Sequence, residues 1–481
     1  MEFKVSQYTP SSFIEFVGNP LVEALPGMPE PSEIPRKLLV KPMYTPEERL
    51  KSVSDRLSSL QRISALHIPT QTDTEIAVNI SRCLTWGYIG RNPISQETVD
   101  KAIARAGYVL TEPEKRYLSS FIAPIYGFPI IGISGVGKST SIVNILQQYP
   151  QVIRHAKYGD EPFVATQVVW LKVDCPCDGS PKGLSAAVIH ELDRVVGTQY
   201  SAEFITSRVS KDVLLLKLNQ LAATFHLGIL VIDEAQNLCS AKKEVSRELL
   251  NYLVTLANTI RVPVVMVGSP MMSRIFQSSF QQAKRVTGQG EVHMKLMKRT
   301  DKIWPFYFQS MWTYQYTKQI VELTGEMRDA FFEESVGNPF ICSILYKLTQ
   351  EDAILSRKET FDVQDVRRVS HERLGLTVQM RQDMLNGKDV DLSRLQSMWN
   401  PPAAEVQNEP SPEETIPLQT VQQKVAEKIF VLLKTDYDRI FQCVGNVMKE
   451  NGAMLSEEKL IRLATTKYLE LAGQEERGTS K

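Results

Sequence analysis

Gly132-Ile-Ser-Gly-Val-Gly-Lys138-Ser139 meets every fixed position of the pattern G-x-x-x-x-G-K-[S/T]. The run before it, Phe128-Pro-Ile-Ile-Gly-Ile133, is short and apolar, and the stretch after it, Lys138-Ser-Thr-Ser-Ile-Val-Asn-Ile-Leu146, is amphipathic. The pattern therefore stands between a strand and a helix, which is the context that gives it meaning. Glycines let the chain bend until main-chain N–H groups face an anion, and the helix N-terminus adds unpaired donors and a favourable dipole. The stretch predicts a triphosphate cradle built from Gly132, Ser134, Gly135, Val136, Gly137, Lys138, Ser139 and Thr140. Lys138 is expected at the β- and γ-phosphates and the Ser139 hydroxyl on Mg²⁺, so the expected ligands are ATP and Mg²⁺.

The second half of such a site is Leu227-Gly-Ile-Leu-Val-Ile-Asp233-Glu234, an apolar run ending in two carboxylates. Open parallel sheets place ligands at the carboxyl ends of their strands. Asp233 is expected to hold Mg²⁺, and Glu234 to polarise an attacking water as general base. A further run, Val262-Pro-Val-Val-Met-Val-Gly268, ends at Ser269 and is expected between the other two strands, with Ser269 orienting the water. Thr166-Gln-Val-Val-Trp-Leu-Lys-Val173 completes the set of bounded, β-branched runs. Helical patterns lie between them at 138–148, 184–196, 212–225 and 246–258. This alternation predicts an α/β fold with a parallel sheet covered by helices on both faces.

Working outward, the 481 residues carry 55 Lys plus Arg and 55 Asp plus Glu, so bulk charge attracts no polyanion and nucleic-acid binding must come from a local patch. Neither a secretory leader nor a run long enough to span a bilayer is visible, and six scattered cysteines read as buried thiols, so a cytoplasmic protein without membrane contact is expected. Residues 1–115 read as an accessory, partner-binding region: a Pro-rich lead-in, a helix over 45–66 capped by Thr45, then helices near 72–86 and 95–107. A nucleotide-binding core is expected over 116–308 and a small helical domain over 309–400. Residues 401–418 hold five prolines and four glutamates without a basic residue, a linker composition. Residues 419–474 return to helical patterning and are expected to bind a partner. Trp86, Trp170 and the six histidines are expected to pack rather than react.

Taken in order, ISGVGKST, VVWLKVDCPCDGSPKGL, LGILVIDEAQN and VPVVMVGSP resemble the AAA+ ATPases, and more narrowly the transposition regulators TnsC and TniB. WTYQYTKQIVEL followed by EESVGNPFICSILYKLTQEDAI is similar to that family's lid, so the resemblance covers about 120–395. It implies a P-loop AAA+ domain with a helical lid and helical N- and C-terminal extensions. It also implies ATP-bound rings or filaments of this chain on double-stranded DNA, linking a TniQ-like target selector to transposase subunits, with ATP hydrolysis resetting the assembly. One departure stands out: where AAA+ lids often place a sensor arginine, this chain reads Ser335-Val-Gly-Asn-Pro339.

Between 271 and 302 seven basic residues face two acidic ones. Arg285, then Arg274, are the candidates for an arginine finger offered to a neighbour's γ-phosphate. For DNA, the loop Asp178–Gly183 offers Ser180 and Lys182 to the phosphate backbone, with Lys242, Lys243 and Arg247 beside it. Two other readings share these motifs: a replication initiator or helicase loader, which the helix-turn-helix rhythm of 440–470 would serve, and a nucleotide switch that hardly hydrolyses ATP.

Overall fold

The computed structural model describes residues 4–27, 29–120, 126–205, 209–237, 259–272 and 288–375, with single positions at 252, 255, 378 and 381 and short stretches between 440 and 467. The chain divides into two compact units, Met1–Leu395 and Gln396–Lys481. In the second, Ile440, Cys443, Val444 and Val447 are buried at helical spacing; the expected linker and most of 419–474 lie outside the described residues.

In chain order the strands are β1 (Lys4–Val5), β2 (Pro129–Gly132), β3 (Val152–Tyr158), β4 (Glu161–Val168), β5 (Trp170–Asp174), β6 (Ile229–Asp233), β7 (Val264–Gly268) and β8 (Val292–Met294). Five of them form one parallel sheet in the order β5-β6-β7-β2-β8. β7 therefore lies between the strand that feeds the glycine loop and the strand that ends in Asp233, as its apolar run predicts.

Burial on both faces explains why these runs are almost wholly apolar. Along β6, Leu230 and Ile232 belong to one core while Ile229 and Val231 belong to the other. The first core is capped by helices Pro181–Val196 and Lys211–Thr224, through Leu184, Val188, Leu192, Leu214 and Leu218. The opposite face is covered by helix Lys138–Leu146 and by the long helix Gln71–Ile89, whose Ile76, Ile80, Leu84 and Tyr88 recur every fourth residue and are fully buried. This is the P-loop AAA+ architecture: a five-stranded parallel sheet between helical layers, with helical extensions.

Residues read from sequence as an accessory region thus supply one of those layers. They also enter the lid, because Leu60, Ile63 and Ile68 share a third core with Trp304, Phe308, Phe331 and Tyr346. Arg56, fully buried, forks onto Glu359 with both contacts at 2.7 Å and donates to the Tyr316 carbonyl at 2.9 Å. The expected helix over 45–66 is broken into a 3₁₀ turn, helix Val53–Ser59 and a second 3₁₀ turn, since Ser52 caps the middle piece by accepting from the Asp55 amide. The lid helices are Ile303–Trp312, Gly325–Ser335, Pro339–Leu355 and Val363–Arg373, the first of which crosses the boundary expected at 308.

Two strand readings need correction. The run 166–173 is not one strand: β4 ends at Val168 and β5 begins at Trp170. β4 pairs antiparallel with β3 in a hairpin that, with β1, makes a separate three-stranded sheet. The hairpin is half-exposed and carries polar residues such as Arg154, Lys157 and Thr166, so no uniform apolar run announces it. Cys83, Cys175, Cys342 and Cys443 are buried thiols, but Cys177 is exposed; Cys239 lies outside the described residues. Burial pushes the Cys83 thiol up to about 12. No described helix is long and apolar enough to cross a membrane.

Candidate nucleotide site

The loop after β2 and Glu234 at the end of β6 line one opening, and β7 lies between the two strands. From β2 the chain turns through Gly135 (φ 79°) and Gly137 (φ 101°) into the helix that begins at Lys138. Both angles lie in the left-handed region that only glycine enters without cost. At Gly135 there is a second constraint, since a Cβ there would stand 2.8 Å from Asn338 Oδ1 and 3.0 Å from the Phe340 Cβ. The Lys138 ammonium donates to the Ile133 carbonyl at 3.0 Å, which folds the side chain back over the loop. Burial lowers the Lys138 pKa, and the nearby Glu234 and Asp233 carboxylates oppose that effect.

On β6, Asp233 is 3% exposed. Its Oδ1 accepts from the Glu234 amide at 2.9 Å, and its Oδ2 takes the Lys172 ammonium at 2.9 Å. Glu234 follows with φ 54°, a left-handed conformation that a non-glycine residue holds only when its surroundings enforce it. The enforcement is visible: Cys175 N donates to the Asp233 carbonyl at 2.8 Å, and Ala235 N to the Val267 carbonyl at 2.9 Å. Gln236 then bridges two strand ends, donating to Glu234 Oε2 through Nε2 and accepting from the Ser269 amide at 3.0 Å through Oε1. Ser269 is 2% exposed, and its hydroxyl has no hydrogen-bond partner among the described residues. Ser269 is not on the wall of the opening.

The opening is a cavity of about 410 Å³, lined by residues 134–141 and Glu234 at one end. Its other end carries Ile63, Ile68, Met294, Met297, Phe340 and Ile344, with polar Ser64, His67, Ser343 and Lys347 among them. Sequence reasoning missed this end altogether. His67 is also on its wall, with Nε2 3.5 Å from Asp73 Oδ1. Asp73 closes a capping box with Thr70, accepting from the Thr70 amide at 2.7 Å and hydroxyl at 2.6 Å. Burial would raise the Asp73 pKa, but donors from His67 and Thr70 outweigh it and hold the carboxyl below its usual range. Nothing local marks His67 as a pocket residue; only packing brings it there.

Among the described residues, the lid reaches the glycine loop through Asn338 and Phe340. Asn338, fully buried, caps helix Pro339–Leu355 through Oδ1 and donates from Nδ2 to the Ser134 carbonyl at 3.0 Å. Phe340 N donates to the Gly135 carbonyl at 3.3 Å. The stretch that lacks the expected sensor arginine is therefore the one that ties lid to loop, by main-chain and amide hydrogen bonds.

The remaining expectations fare differently. Ser180 and Lys182 do not sit in a free loop. Pro181 opens a helix, Ser180 is its cap and accepts from the Gly183 amide at 3.0 Å, and Lys182 is in the first turn. Arg285, Arg274, Lys242, Lys243 and Arg247 lie outside the described residues. Of the other cations in the basic stretch, Arg299 is spent on Glu333 at 3.0 Å and on the Phe332 ring. Trp170 donates to the Tyr149 carbonyl at 3.2 Å and Trp86 packs edge-on against Phe16, both packing roles.

Among the described residues no group of three His, Cys, Asp or Glu side chains is close enough to cage a metal. Mg²⁺ takes one or two carboxylates and leaves the rest of its shell to phosphate and water. A hydroxyl at Ser139, one buried carboxylate at Asp233 and a phosphate cradle are such a donor set.

With this geometry in view, residues 128–276 match the family model described as AAA domain. No curated protein matches. Among solved structures, the chain is similar to the Walker-type ATPase PABY2304 of Pyrococcus abyssi at 14% identity over 76% of this chain and 90% of that one, with a TM-score of 0.36. It is similar to Aeropyrum pernix Orc1 in complex with DNA at 12% identity over 74% and 82%, with a TM-score of 0.38. It is similar to Drosophila ORC bound to DNA at 10% identity over 72% and 73%, with a TM-score of 0.33. Values this low carry no functional assignment.

Proposed function

We propose that this chain is a Mg²⁺-dependent ATPase that assembles on duplex DNA and regulates transposition. The observation that supports the ATPase reading best is that Lys138 and Glu234 line one cavity, with Asp233 and Ser269 buried at the adjoining ends of β6 and β7. The loop amides and Lys138 would bind the β- and γ-phosphates. Ser139 and Asp233 would hold Mg²⁺, which supplies charge neutralisation on the phosphates. Glu234 would accept the proton of an attacking water, with Gln236 holding its carboxylate and the Ser269 hydroxyl orienting that water. The other end of the cavity would take the adenine ring.

Assembly as a ring or filament, DNA contact by Ser180 and Lys182, a finger at Arg285, and bridging of a TniQ-like selector to transposase subunits rest on the sequence resemblance. The test is electron microscopy of the purified protein with duplex DNA and a non-hydrolysable ATP analogue. Rings or filaments that form only with nucleotide, and weaken steeply with salt, are expected. Monomers under all conditions would refute assembly. Sequence-specific DNA binding by residues 419–474 alone would favour the initiator reading instead.

A further inference from the structure

Lys172 has no part in the phosphate chemistry, yet its ammonium touches the residue expected to carry the metal. Lys172 and Asp174 are two apart on β5, and Asp174 is in register with Asp233 on β6. Side chains two apart on a strand share a face, and so do registered partners on neighbouring strands. All three therefore stand on one face at the end of the sheet. The ammonium lies 2.9 Å from Asp233 Oδ2 and 2.9 Å from Asp174 Oδ1. The two acceptors differ sharply in exposure: the Asp233 side chain is 4% exposed and that of Asp174 71% exposed.

We propose that Lys172 is a displaceable counter-ion for the metal: it neutralises Asp233 until Mg²⁺ arrives and then retires onto Asp174. This rests on the reading of the cavity as a Mg²⁺–ATP site. A buried carboxylate left without a cation is costly, so Asp233 needs a partner whenever the metal is absent. A divalent ion and an ammonium at one carboxylate repel each other across a poorly screened gap. Arrival of the metal therefore pushes the ammonium off, and Asp174 is an acceptor already within hydrogen-bond distance. Being exposed, it holds the ammonium at little desolvation cost. Two opposite consequences follow. Removing the lysine removes a competitor and favours the metal. Removing the exposed acid leaves the lysine with Asp233 alone and disfavours it.

The test is Mg²⁺ titration of a fluorescent ATP analogue bound to the full-length protein, with parallel binding in EDTA. Lys172→Met is expected to lower the half-saturating Mg²⁺ concentration by about three- to tenfold. Binding in EDTA should change by less than about twofold, since the lysine touches no phosphate-cradle residue. Asp174→Asn is expected to raise half-saturation by about twofold or more. A merely structural lysine would move both variants the same way. An unchanged or raised value in Lys172→Met overturns the proposal, as does an unchanged or lowered value in Asp174→Asn. Should Lys172→Met fail to fold, Lys172→Gln replaces it under the same criteria. If the wild type takes up no analogue with or without Mg²⁺, the nucleotide reading itself falls and takes this inference with it. If the analogue binds and only the Mg²⁺ response fails, the inference alone is lost.

Discussion

The two ends of the cavity proposed for the nucleotide are built by different means. The phosphate end is one continuous loop and helix start, 134–141, plus Glu234 at the end of β6. Its donors are main-chain amides fixed by two left-handed glycines. The base end is assembled from pieces far apart in the chain: Ile63 to Ile68, Met294 and Met297, and Phe340 to Ile344. Its pieces meet because the N-terminal region and the lid share one hydrophobic core. The phosphate end therefore carries its instructions locally, whereas the base end exists only when distant segments pack. Changes at the first should alter chemistry with the fold intact, and changes behind the second should alter stability and base affinity together.

The largest effect belongs at the phosphate end. Glu234→Gln keeps shape and removes the base, so turnover should fall by about 10²–10⁴-fold while nucleotide binding persists. Steady-state phosphate release alongside equilibrium binding checks this, and unchanged turnover would leave the nucleotide-switch reading in place. Lys138→Ala removes a half-buried charge proposed to face the phosphates and should weaken ATP binding by about a hundredfold or more, with melting temperature nearly unchanged.

Behind the base end, Arg56→Met breaks a buried fork and strands Glu359, whose carboxyl the guanidinium holds below its usual range. A loss of about 3 kcal/mol is expected by chemical denaturation, with a loss of ATP affinity alongside. A stability loss with untouched affinity would show that the two ends are less coupled than their shared core implies.

The smallest effect concerns Asp73. Its folded pKa lies below the ordinary carboxyl value, so its contribution is present above the unfolded pKa and is lost as pH falls through the folded one. Asp73→Asn should cost about 1–2 kcal/mol at pH 7 and converge with wild type in acid. A difference that persists at low pH would mean that the charge is not what matters there.

The same contrast explains what could be read from sequence. The places of Lys138 at a helix start and of Asp233 and Glu234 at a strand end were legible because a strand–loop–helix unit puts fixed residue types at fixed points. Buried on both faces, β2, β6 and β7 announced themselves as apolar runs. The β3–β4 hairpin did not, because a half-exposed strand with Arg154, Lys157 and Thr166 has no such signature. His67 and Ile68 were illegible for another reason: a side chain's place on a pocket wall depends on partners more than two hundred residues away. Ser180 was read as part of a flexible loop, yet Pro181 following it is a helix-start signal, and that reading prevails in the fold. The lid's missing arginine was legible as an absence; that Asn338 takes over contact with the loop was not.

The most direct test of the central claim is calorimetric titration of ATP with Mg²⁺ into the wild type, Lys138→Ala and Glu234→Gln. Saturable uptake near one nucleotide per chain is predicted for the wild type and Glu234→Gln, with Lys138→Ala giving little or no heat. Absence of uptake by the wild type, or three indistinguishable isotherms, would contradict the assignment of this cavity to a nucleotide.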